Sequence, residues 1–306
     1  MCKKIKILSV NISENRGRKN PVEKIIFNEA GAEGDSYAGT IRQVSLLNFS
    51  HGEIFSKITG DKTIEFGEFA ENITFTTDAV LDVNIFDCFV KDEVILEVIP
   101  QGKSFREKVG KPGNLIMPYE GNFCRVKHGG ILQAGDEMEY IPKVFKARII
   151  TLSDRASKGI YEDLSGPAIT TELTGLFEKI GWRLYTENII IPDDENILRN
   201  LLKESLENNF DYIITTGGTG IGPRDITPEV MKEFIQKEIP GIIEMIRWKY
   251  GVEKPAALVS RALAGVSGKT LMFALPGSVK AVNEYMAELK KHFEHLVYMV
   301  EAVELH

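Results

Sequence analysis

The segment best suited to chemistry reads TTGGTGIGPRDITPE and covers residues 215–229. It follows an apolar run typical of a buried strand, and its four glycines present backbone N–H groups with no side chain in front of them. Amides arranged in this way bind anions, above all phosphates. Arg224 adds a cation and Asp225 a carboxylate, and Thr227-Pro228-Glu229 predicts an N-cap, a first-turn proline and a first-turn acid. The segment therefore predicts phosphate chemistry.

This glycine loop, residues 217–222, does not match the common nucleotide-binding signatures. It lacks the lysine and the spacing of a Walker A loop, and it lacks the glycine order of a dinucleotide fingerprint. Its glycines could instead make only a tight turn between a strand and a helix. The adjacent Arg224-Asp225 and three further polar segments favour the binding interpretation.

Asp193 and Asp225 are the candidate catalytic residues. Two acids that face a phosphate site would repel the ligand unless a hard cation lies between them, so the pair also predicts a Mg²⁺ site. Each acid has a structural alternative. Asp193 could cap the helix that starts near Glu195, a role equally open to Asp194, and Asp225 could cap a helix or pair with Arg224.

The elements that must position these residues follow a strand-then-helix pattern after Pro142. Apolar strands are predicted at 147–152, 183–191, 211–216 and 270–275. Helices are predicted from Ser165 to Gly181, from 193–195 onward, and from about Ser278. Such alternation predicts a three-layer α/β/α domain with a mainly parallel sheet and helices on both faces.

Polar or glycine-rich segments follow each of these strands, so they share the sheet edge where open parallel sheets bind ligands. Two segments have plainer alternatives: residues 153–155 could cap the next segment or form a surface turn, and the small-residue stretch 262–268 after Ser260-Arg261 could be a plain turn instead of a binding loop. His292, His295 and His306 form no metal set. The predicted substrate-binding residues are Ser153, Asp154, Thr216, Gly217, Gly218, Thr219, Gly220, Gly222, Arg224, Ser260, Pro276, Gly277 and Ser278.

The first half of the chain has a different pattern. Short β-type runs at 5–10, 43–47, 72–75, 92–99 and 137–141 alternate with glycine turns, and few segments keep a helical period. The pattern predicts a mostly β barrel. We therefore predict two domains, residues 1–142 and residues 143–306.

Composition excludes several classes of function. The net charge of −7 argues against nucleic-acid binding, which needs a basic surface. No apolar run reaches the roughly 18 to 20 residues of a membrane span. The first residues, MCKKIKILSV, have the charge order of a signal peptide, but the apolar run is short and predicts a strand. Three scattered cysteines fit a reducing compartment, so we expect a cytoplasmic protein.

The second half resembles the molybdopterin adenylyltransferase family of MogA and MoaB type. The resemblance covers about residues 146–306 and is carried, in order, by SDRAS (153–157), IPD (191–193), TTGGTG, PRDITPE, SRA (260–262) and LPGS (275–278). It implies a trimeric enzyme that joins molybdopterin to AMP from ATP with Mg²⁺ and releases pyrophosphate. It also implies that Asp193 and Asp225 are the functional aspartates and that proteins of molybdenum insertion or cofactor acceptance are partners. The alternative is a non-catalytic carrier of molybdopterin or of the finished cofactor.

The first half resembles a MOSC domain over about residues 3–140. The resemblance is carried by VNIS (10–13), EGD (33–35), RQVSLL (42–47), FGEFAENIT (66–74) and MPYEGNFCRVKHGG (117–130). It implies cofactor binding and, in some members, sulfur handling through a cysteine. Residues 104–108 hold no cysteine where such relatives carry one, and Cys124 alternates like a buried strand position. Arg42, Glu71 and Asn72 are candidate cofactor contacts, with hydrogen bonding inside the barrel as the alternative.

Overall fold

The computed structural model describes residues 3–51, 64–100, 117 and 121–303. These residues form two compact units, one up to Lys143 and one from Val144 to Val303. Within the described ranges, no helix combines the length and the apolar character needed to traverse a bilayer. The segment 104–108, where the sequence lacks the expected cysteine, lies outside the described residues.

The first unit is a closed β-barrel. Its wall runs β11-β7-β8-β9-β5-β6-β1, and pairing of β1 with β11 from Lys3↔Tyr140 to Lys6↔Glu137 closes it. β2 extends the wall beside β1, and β10-β3-β4 form a separate small sheet. The strands are β1 (Lys3–Ile12), β2 (Asn20–Val22), β3 (Lys24–Asn28), β4 (Gly31–Ala32), β5 (Val44–Asn48), β6 (Ile73–Thr76), β7 (Cys88–Lys91), β8 (Val94–Val98), β9 (Gly121–His128), β10 (Gly130–Gln133) and β11 (Glu137–Ile141).

The predicted barrel is confirmed, and its cause is visible in the alternation of β1 and β11. Ile5 and Ile7 of β1, like Met138 and Tyr140 of β11, point inward and are at most 4% exposed. The residues between them are mostly charged and face outward. A 3₁₀ turn at Phe49–His51 follows β5. Burial of one face of each strand thus fixes the register of the barrel.

The second unit is built on a six-stranded sheet in the order β13-β12-β14-β17-β16-β15. The first four of these strands are parallel, so the predicted mainly parallel sheet is confirmed. β16 and β15 are antiparallel and extend one edge. The strands are β12 (Val144–Leu152), β13 (Arg183–Ile191), β14 (Tyr212–Thr216), β15 (Lys237–Glu238), β16 (Leu263–Ser267) and β17 (Thr270–Leu275).

Helices cover both faces of this sheet. On one face, an aromatic cluster joins the sheet to its helices: Phe145 stacks on Trp182 with ring centroids 4.8 Å apart, and Tyr212 contacts Phe293. On the other face, Leu198, Leu202, Val230 and Met231 pack against alternate strand residues. The helices are α1 (Asp154–Ser157), α2 (Ser165–Ile180), α3 (Glu195–Glu207), α4 (Thr227–Lys232), α5 (Pro240–Gly251), α6 (Val279–Leu289) and α7 (Phe293–Val300), with a 3₁₀ turn at Pro255–Val259.

Candidate active site

The carboxyl ends of the parallel strands meet where the sequence predicted a crevice. The Gly217 amide donates to Leu275 O at 3.1 Å, and the Thr216 hydroxyl donates to Pro276 O at 2.9 Å. A Cβ on Gly277 would lie 3.1 Å from Gly217 Cα, and one on Gly217 would lie 2.4 Å from Leu152 O. Since only glycine permits these approaches, the sequence brings β12, β14 and β17 together at one point.

Asp154 and Asp193 link the ends of β12 and β13. The Asp154 amide donates to Asp193 Oδ2 and the Asp193 amide donates to Asp154 Oδ1, both at 3.3 Å. Arg224, from the segment after the glycine loop, forms an ion pair with Asp154. Arg224 therefore pairs with Asp154, whereas the sequence had left Asp225 open as its partner. Residues from three segments distant in sequence are in contact here.

The two acids at 193 and 194 have separate tasks. Asp194 is the N-cap of α3, because its carboxylate accepts from the amides of Asn196 and Ile197 at 2.9 and 3.0 Å. The capping alternative for Asp193 is thereby removed, and its carboxylate lies toward the crevice beside Asp154. Burial raises the pKa of Asp193, and the neighbouring charges of Asp154 and Asp225 raise it further against the opposing effect of Arg224.

Asp225 folds back onto the glycine loop. Its Oδ2 accepts from the Gly222 amide at 2.8 Å, while its own amide donates to Gly222 O at 3.0 Å. A Cβ on Gly220 would lie only 2.6 Å from the same oxygen, so the carboxylate packs closely against Gly220. Asp225 is therefore neither a helix cap nor a partner of Arg224 in this structure.

Part of the loop is available to an anion. Gly217 and Gly222 use their amides internally, whereas in the described chain the consecutive amides of residues 218–221 have no hydrogen-bond acceptor. Gly217 and Gly218 have φ angles of 100° and 62°, which glycine adopts without strain. The loop thus offers a short run of open backbone donors next to Asp225.

Thr227 differs from its predicted role. The sequence predicted it as an N-cap, but α4 begins at Thr227 itself, with Ile226 as a cap that makes no side-chain bond. The Thr227 hydroxyl, fully buried, donates to Gly217 O at 2.8 Å, and its amide donates to Gly218 O at 3.1 Å. Thr227 therefore stabilises the start of the glycine loop and does not cap α4.

The predicted serines use their hydroxyls locally. Ser153 is the N-cap of α1, accepts from the Ala156 amide at 3.2 Å and lies 3.1 Å from the Tyr161 hydroxyl. Ser278 caps α6 by accepting from Ala281 at 3.3 Å. Ser260 accepts from the Ala262 amide at 3.3 Å. All three lie on segments that border strand ends, which leaves a direct ligand contact for each as a prediction.

Sequence reasoning missed Asp163 and Tyr161. Asp163 accepts from Thr151 Oγ1 at 2.7 Å and from the amide and hydroxyl of Ser165, which ties the end of β12 to the start of α2. Its burial opposes ionisation, but these hydrogen bonds outweigh that effect and lower its pKa. Arg155 packs over the Tyr161 ring at 4.9 Å. The signal for Asp163 was present, since an Asp two residues before Ser-Gly-Pro is typical of a turn that precedes a helix.

The donor set fits Mg²⁺ held jointly with a substrate. Across the parts of the chain that the structure describes, no group of three or more His, Cys, Asp or Glu side chains is arranged to hold a metal by itself. Mg²⁺ commonly uses one or two carboxylates together with phosphates and water. Asp193, whose ionised form is disfavoured by burial and by its acidic neighbours, is suited to such a role beside Asp225.

Two candidate cofactor contacts in the barrel are engaged in internal hydrogen bonds. Glu71 accepts from the amides of Gly67 and Phe69, and burial raises its pKa against these bonds. Asn72 joins Ser45 to the buried Asp35, which pairs with Lys19 at 2.8 Å. Arg42 lies over the Phe123 ring at 5.0 Å and lines a cavity of about 80 Å³ with Tyr37, Ser45, Phe69, Ala70 and Met117.

The two described cysteines of the barrel, Cys88 and Cys124, have raised pKa values. Cys124 is fully buried, which confirms its predicted inward position, and burial raises its pKa well above the usual range. Burial likewise raises the pKa of Cys88 to about 11. Within the described residues, neither thiol has the lowered pKa that sulfur transfer requires.

A family model and several known proteins match the second unit. The family model described as "Probable molybdopterin binding domain" matches residues 148–295. The chain is 38% identical over 156 residues to the molybdopterin adenylyltransferase of Helicobacter pylori, covering 51% of this chain and 85% of that protein. It is 38% identical over 161 residues to the enzyme of the same name from Pyrococcus furiosus, covering 51% and 91%.

Two further matches concern proteins with related names. The molybdenum cofactor biosynthesis protein B of Staphylococcus aureus is 35% identical over 159 residues, covering 51% of this chain and 92% of that protein. Among solved structures, the tungsten cofactor synthesizing protein MoaB from Pyrococcus furiosus is 38% identical, covering 53% of this chain and 99% of that chain with a TM-score of 0.46.

Proposed function

This chain belongs, through its second unit, to the molybdopterin-binding family of the relatives above, and on that premise we propose that it is a molybdopterin adenylyltransferase. The proposed reaction joins molybdopterin to AMP taken from ATP and releases pyrophosphate, a step in molybdenum cofactor biosynthesis. The observation that carries the proposal is the juxtaposition of open loop amides at 218–221 with Asp193, Asp225 and Arg224.

The reaction needs positioning more than proton transfer. An oxygen of the molybdopterin phosphate attacks the α-phosphorus of ATP, a new P–O bond forms, and the bond to the bridging oxygen breaks with pyrophosphate as the leaving group. The attacking phosphate is already ionised at neutral pH, so no strong general base is required. This fits a site whose functional side chains are carboxylates and an arginine without a histidine.

The chain's own groups would bind and orient the phosphates. The amides of residues 218–221 would hold phosphate oxygens, and Arg224, 64% exposed in its side chain, would turn from Asp154 toward the negative charge of the substrates. Asp193 and Asp225 would hold Mg²⁺, which when bound neutralises charge on the α-phosphate and on the departing pyrophosphate. The fixed loop backbone would keep the reacting groups in line.

Pyrophosphate release tests the proposal. We expect the purified chain to release pyrophosphate from ATP only when molybdopterin is added, and Asp225→Asn to lower that rate by about 100-fold or more. Asp194→Asn is the matched control, because it removes the same charge next to the crevice but keeps a residue that caps α3 well. Tight pterin binding without pyrophosphate release would support the carrier alternative.

A second test separates metal binding from positioning. Asp193→Asn should also lower the rate, and partial recovery at raised Mg²⁺ would assign Asp193 to metal binding. Loss that is independent of Mg²⁺ would assign it to holding Asp154 and the end of β12 through their paired hydrogen bonds.

For the first unit we propose an accessory, MOSC-like role in holding the cofactor rather than in transferring sulfur. The support is the cavity beside Arg42 and the unreactive state of the described thiols. Assembly as a homotrimer and transfer of product to molybdenum-inserting proteins are part of the same proposal. Sedimentation of the full chain would test the oligomeric state.

A further inference from the structure

We propose that Arg261 is a positioning residue that holds the glycine loop and the backbone of Asp225 in their working arrangement. The inference rests on the proposed function, since it assigns a task within that site. Its basis is independent of any substrate, because it depends on contacts made inside the second unit. The sequence had left Arg261 open as part of a binding loop or a plain turn.

The contacts of Arg261 join the middle of the glycine loop to Asp225. Its Nε donates to Gly220 O at 2.6 Å and its Nη2 donates to Asp225 O at 2.6 Å. Its own amide donates to Thr219 O at 2.9 Å. One side chain therefore binds carbonyl groups on both sides of the turn that contains Gly222, and its backbone binds a third.

Glycines make this support necessary. Residues 217–222 contain four glycines, which have more conformational freedom to lose on folding than other residues. Thr227 fixes only the first part of the loop, through the carbonyls of Gly217 and Gly218. The carbonyls of Gly220 and Asp225 both need a donor, and no other hydrogen bond to either of them is seen in the described residues. The guanidinium supplies that donor.

The geometry also explains why the residue is arginine. A guanidinium is a planar fork whose nitrogens donate in fixed directions, whereas a lysine ammonium is a point charge on a flexible stem. Glu229 on α4 contacts Nη1 and so orients the fork from the far side. In the main chain, Arg261 is followed by Ala262, which is 2% exposed and directly precedes β16. The side chain is held at both ends.

Arg261 acts on Asp225 through the backbone and not through charge. It binds the main-chain carbonyl of Asp225, while the carboxylate of that residue accepts from Gly222. Loss of Arg261 should therefore disturb the direction of the carboxylate and of the open amides at 218–221. We expect a lower turnover number with a smaller effect on the affinity for molybdopterin, because displacement of reacting groups affects the transition state more than binding.

The test compares Arg261→Ala with Arg199→Ala. Arg199 is a matched control, since its side chain is also 34% exposed and it forms a two-point contact with Glu233 at 2.7 Å, but it touches no loop residue. Hydrogen exchange without substrate reports on the loop. We expect the amides of Gly222 and Asp225 to exchange about tenfold faster in Arg261→Ala and unchanged in Arg199→Ala.

Turnover provides the second readout. Arg261→Ala should lower the turnover number by about 100-fold, with partial recovery on addition of free guanidinium and no such recovery for Arg199→Ala. Arg261→Lys keeps the charge and replaces the alanine variant in both measurements if that variant does not fold. We expect Arg261→Lys to fold and to have a lowered turnover number. Unchanged exchange at Gly222 and Asp225, or faster exchange with wild-type turnover, would overturn the proposal. The hydrogen-exchange measurement tests the role of Arg261 even if the chain has no adenylyltransferase activity.

Discussion

Asp193 follows β13 and Asp163 is bonded to the end of the neighbouring β12, but the two carboxylates have opposite electrostatic surroundings. Burial and the acids Asp154 and Asp225 raise the pKa of Asp193. Burial opposes ionisation of Asp163 as well, but hydrogen bonds from Thr151, Ser165 and Gly166 outweigh that effect and lower the pKa of Asp163. A raised pKa at a crevice is typical of functional groups, whereas a lowered pKa from local donors marks a structural one. The two residues therefore have opposite effects on stability.

The sign of each effect gives a prediction at the residue scale. Because the pKa of Asp193 is higher in the folded chain than its ordinary 3.8, its ionised form opposes folding at neutral pH. Asp193→Asn should raise the Tm at pH 7, and the gain should shrink as the pH falls through the raised pKa and vanish below 3.8.

Asp163→Asn should behave in the opposite way. The lowered pKa of Asp163 means that its ionised form supports folding above its ordinary value of 3.8, and that this support is lost as the pH falls. The variant should therefore melt below the wild type at pH 7, and the gap should narrow in acid. Thermal melts of the two variants at several pH values check both signs, and equal shifts would refute the assignment.

At the scale of elements, the glycine loop works because backbones approach each other closely. Gly217 has a φ of 100°, and a Cβ there would lie 2.4 Å from Leu152 O. Neither the angle nor the contact can be relieved by a side-chain movement, since the neighbour is main chain. Thr216, which joins β14 to Pro276, and Thr227, which joins α4 to Gly217, depend on the same arrangement.

Alanine substitution at two glycines tests this requirement. Gly217→Ala should destabilise the second unit and remove adenylylation, because the strain of its positive φ adds to the overlap of the new Cβ with Leu152 O. Gly175→Ala is the control: Gly175 lies within α2 with open space around a new Cβ, so the variant should gain about 0.5 to 1 kcal/mol. Denaturant unfolding measures both, and a Gly217 variant as stable as wild type would contradict the close approach.

The elements that sequence predicted well have local signals. α2 begins at Ser165 and ends at Gly181 in the left-handed conformation, as its Ser-Gly-Pro start and glycine end indicated. The sequence predicted a binding loop or a plain turn at 262–268 and did not reveal β16, because its small residues form a strand through pairing with β17 and β15. Nor could it separate the two alternatives for the segment at Arg261, because the side-chain acceptors of that residue lie up to 41 positions away in the chain. Contacts of that kind depend on the completed fold.

At the scale of the whole molecule, each unit has buried hydrophobic clusters of its own among the described residues. One cluster fills the barrel and includes Ile5, Phe75 and Met138, and another lies under α3 and α4 of the second unit. All residues of the candidate active site come from residues 153–278, within the second unit. The proposed chemistry therefore needs no group from the barrel.

Truncation tests that independence. We expect residues 143–306, produced alone, to fold and to retain a turnover number close to that of the full chain, since domains with their own core commonly fold by themselves. Circular dichroism would establish folding before activity is measured. A folded but inactive fragment would show that the barrel contributes to the reaction.

The most direct test of molybdopterin adenylylation uses ATP labelled at its α-phosphate and determines where the label ends. The full chain is incubated with molybdopterin, Mg²⁺ and ATP labelled at the α-phosphate, and the pterin product is separated and weighed by mass spectrometry. We predict a labelled adduct of molybdopterin and AMP that forms only with the pterin present and is nearly absent with Asp225→Asn. Label that stays in ATP while molybdopterin binds tightly, or that appears in AMP without any pterin adduct, would contradict it.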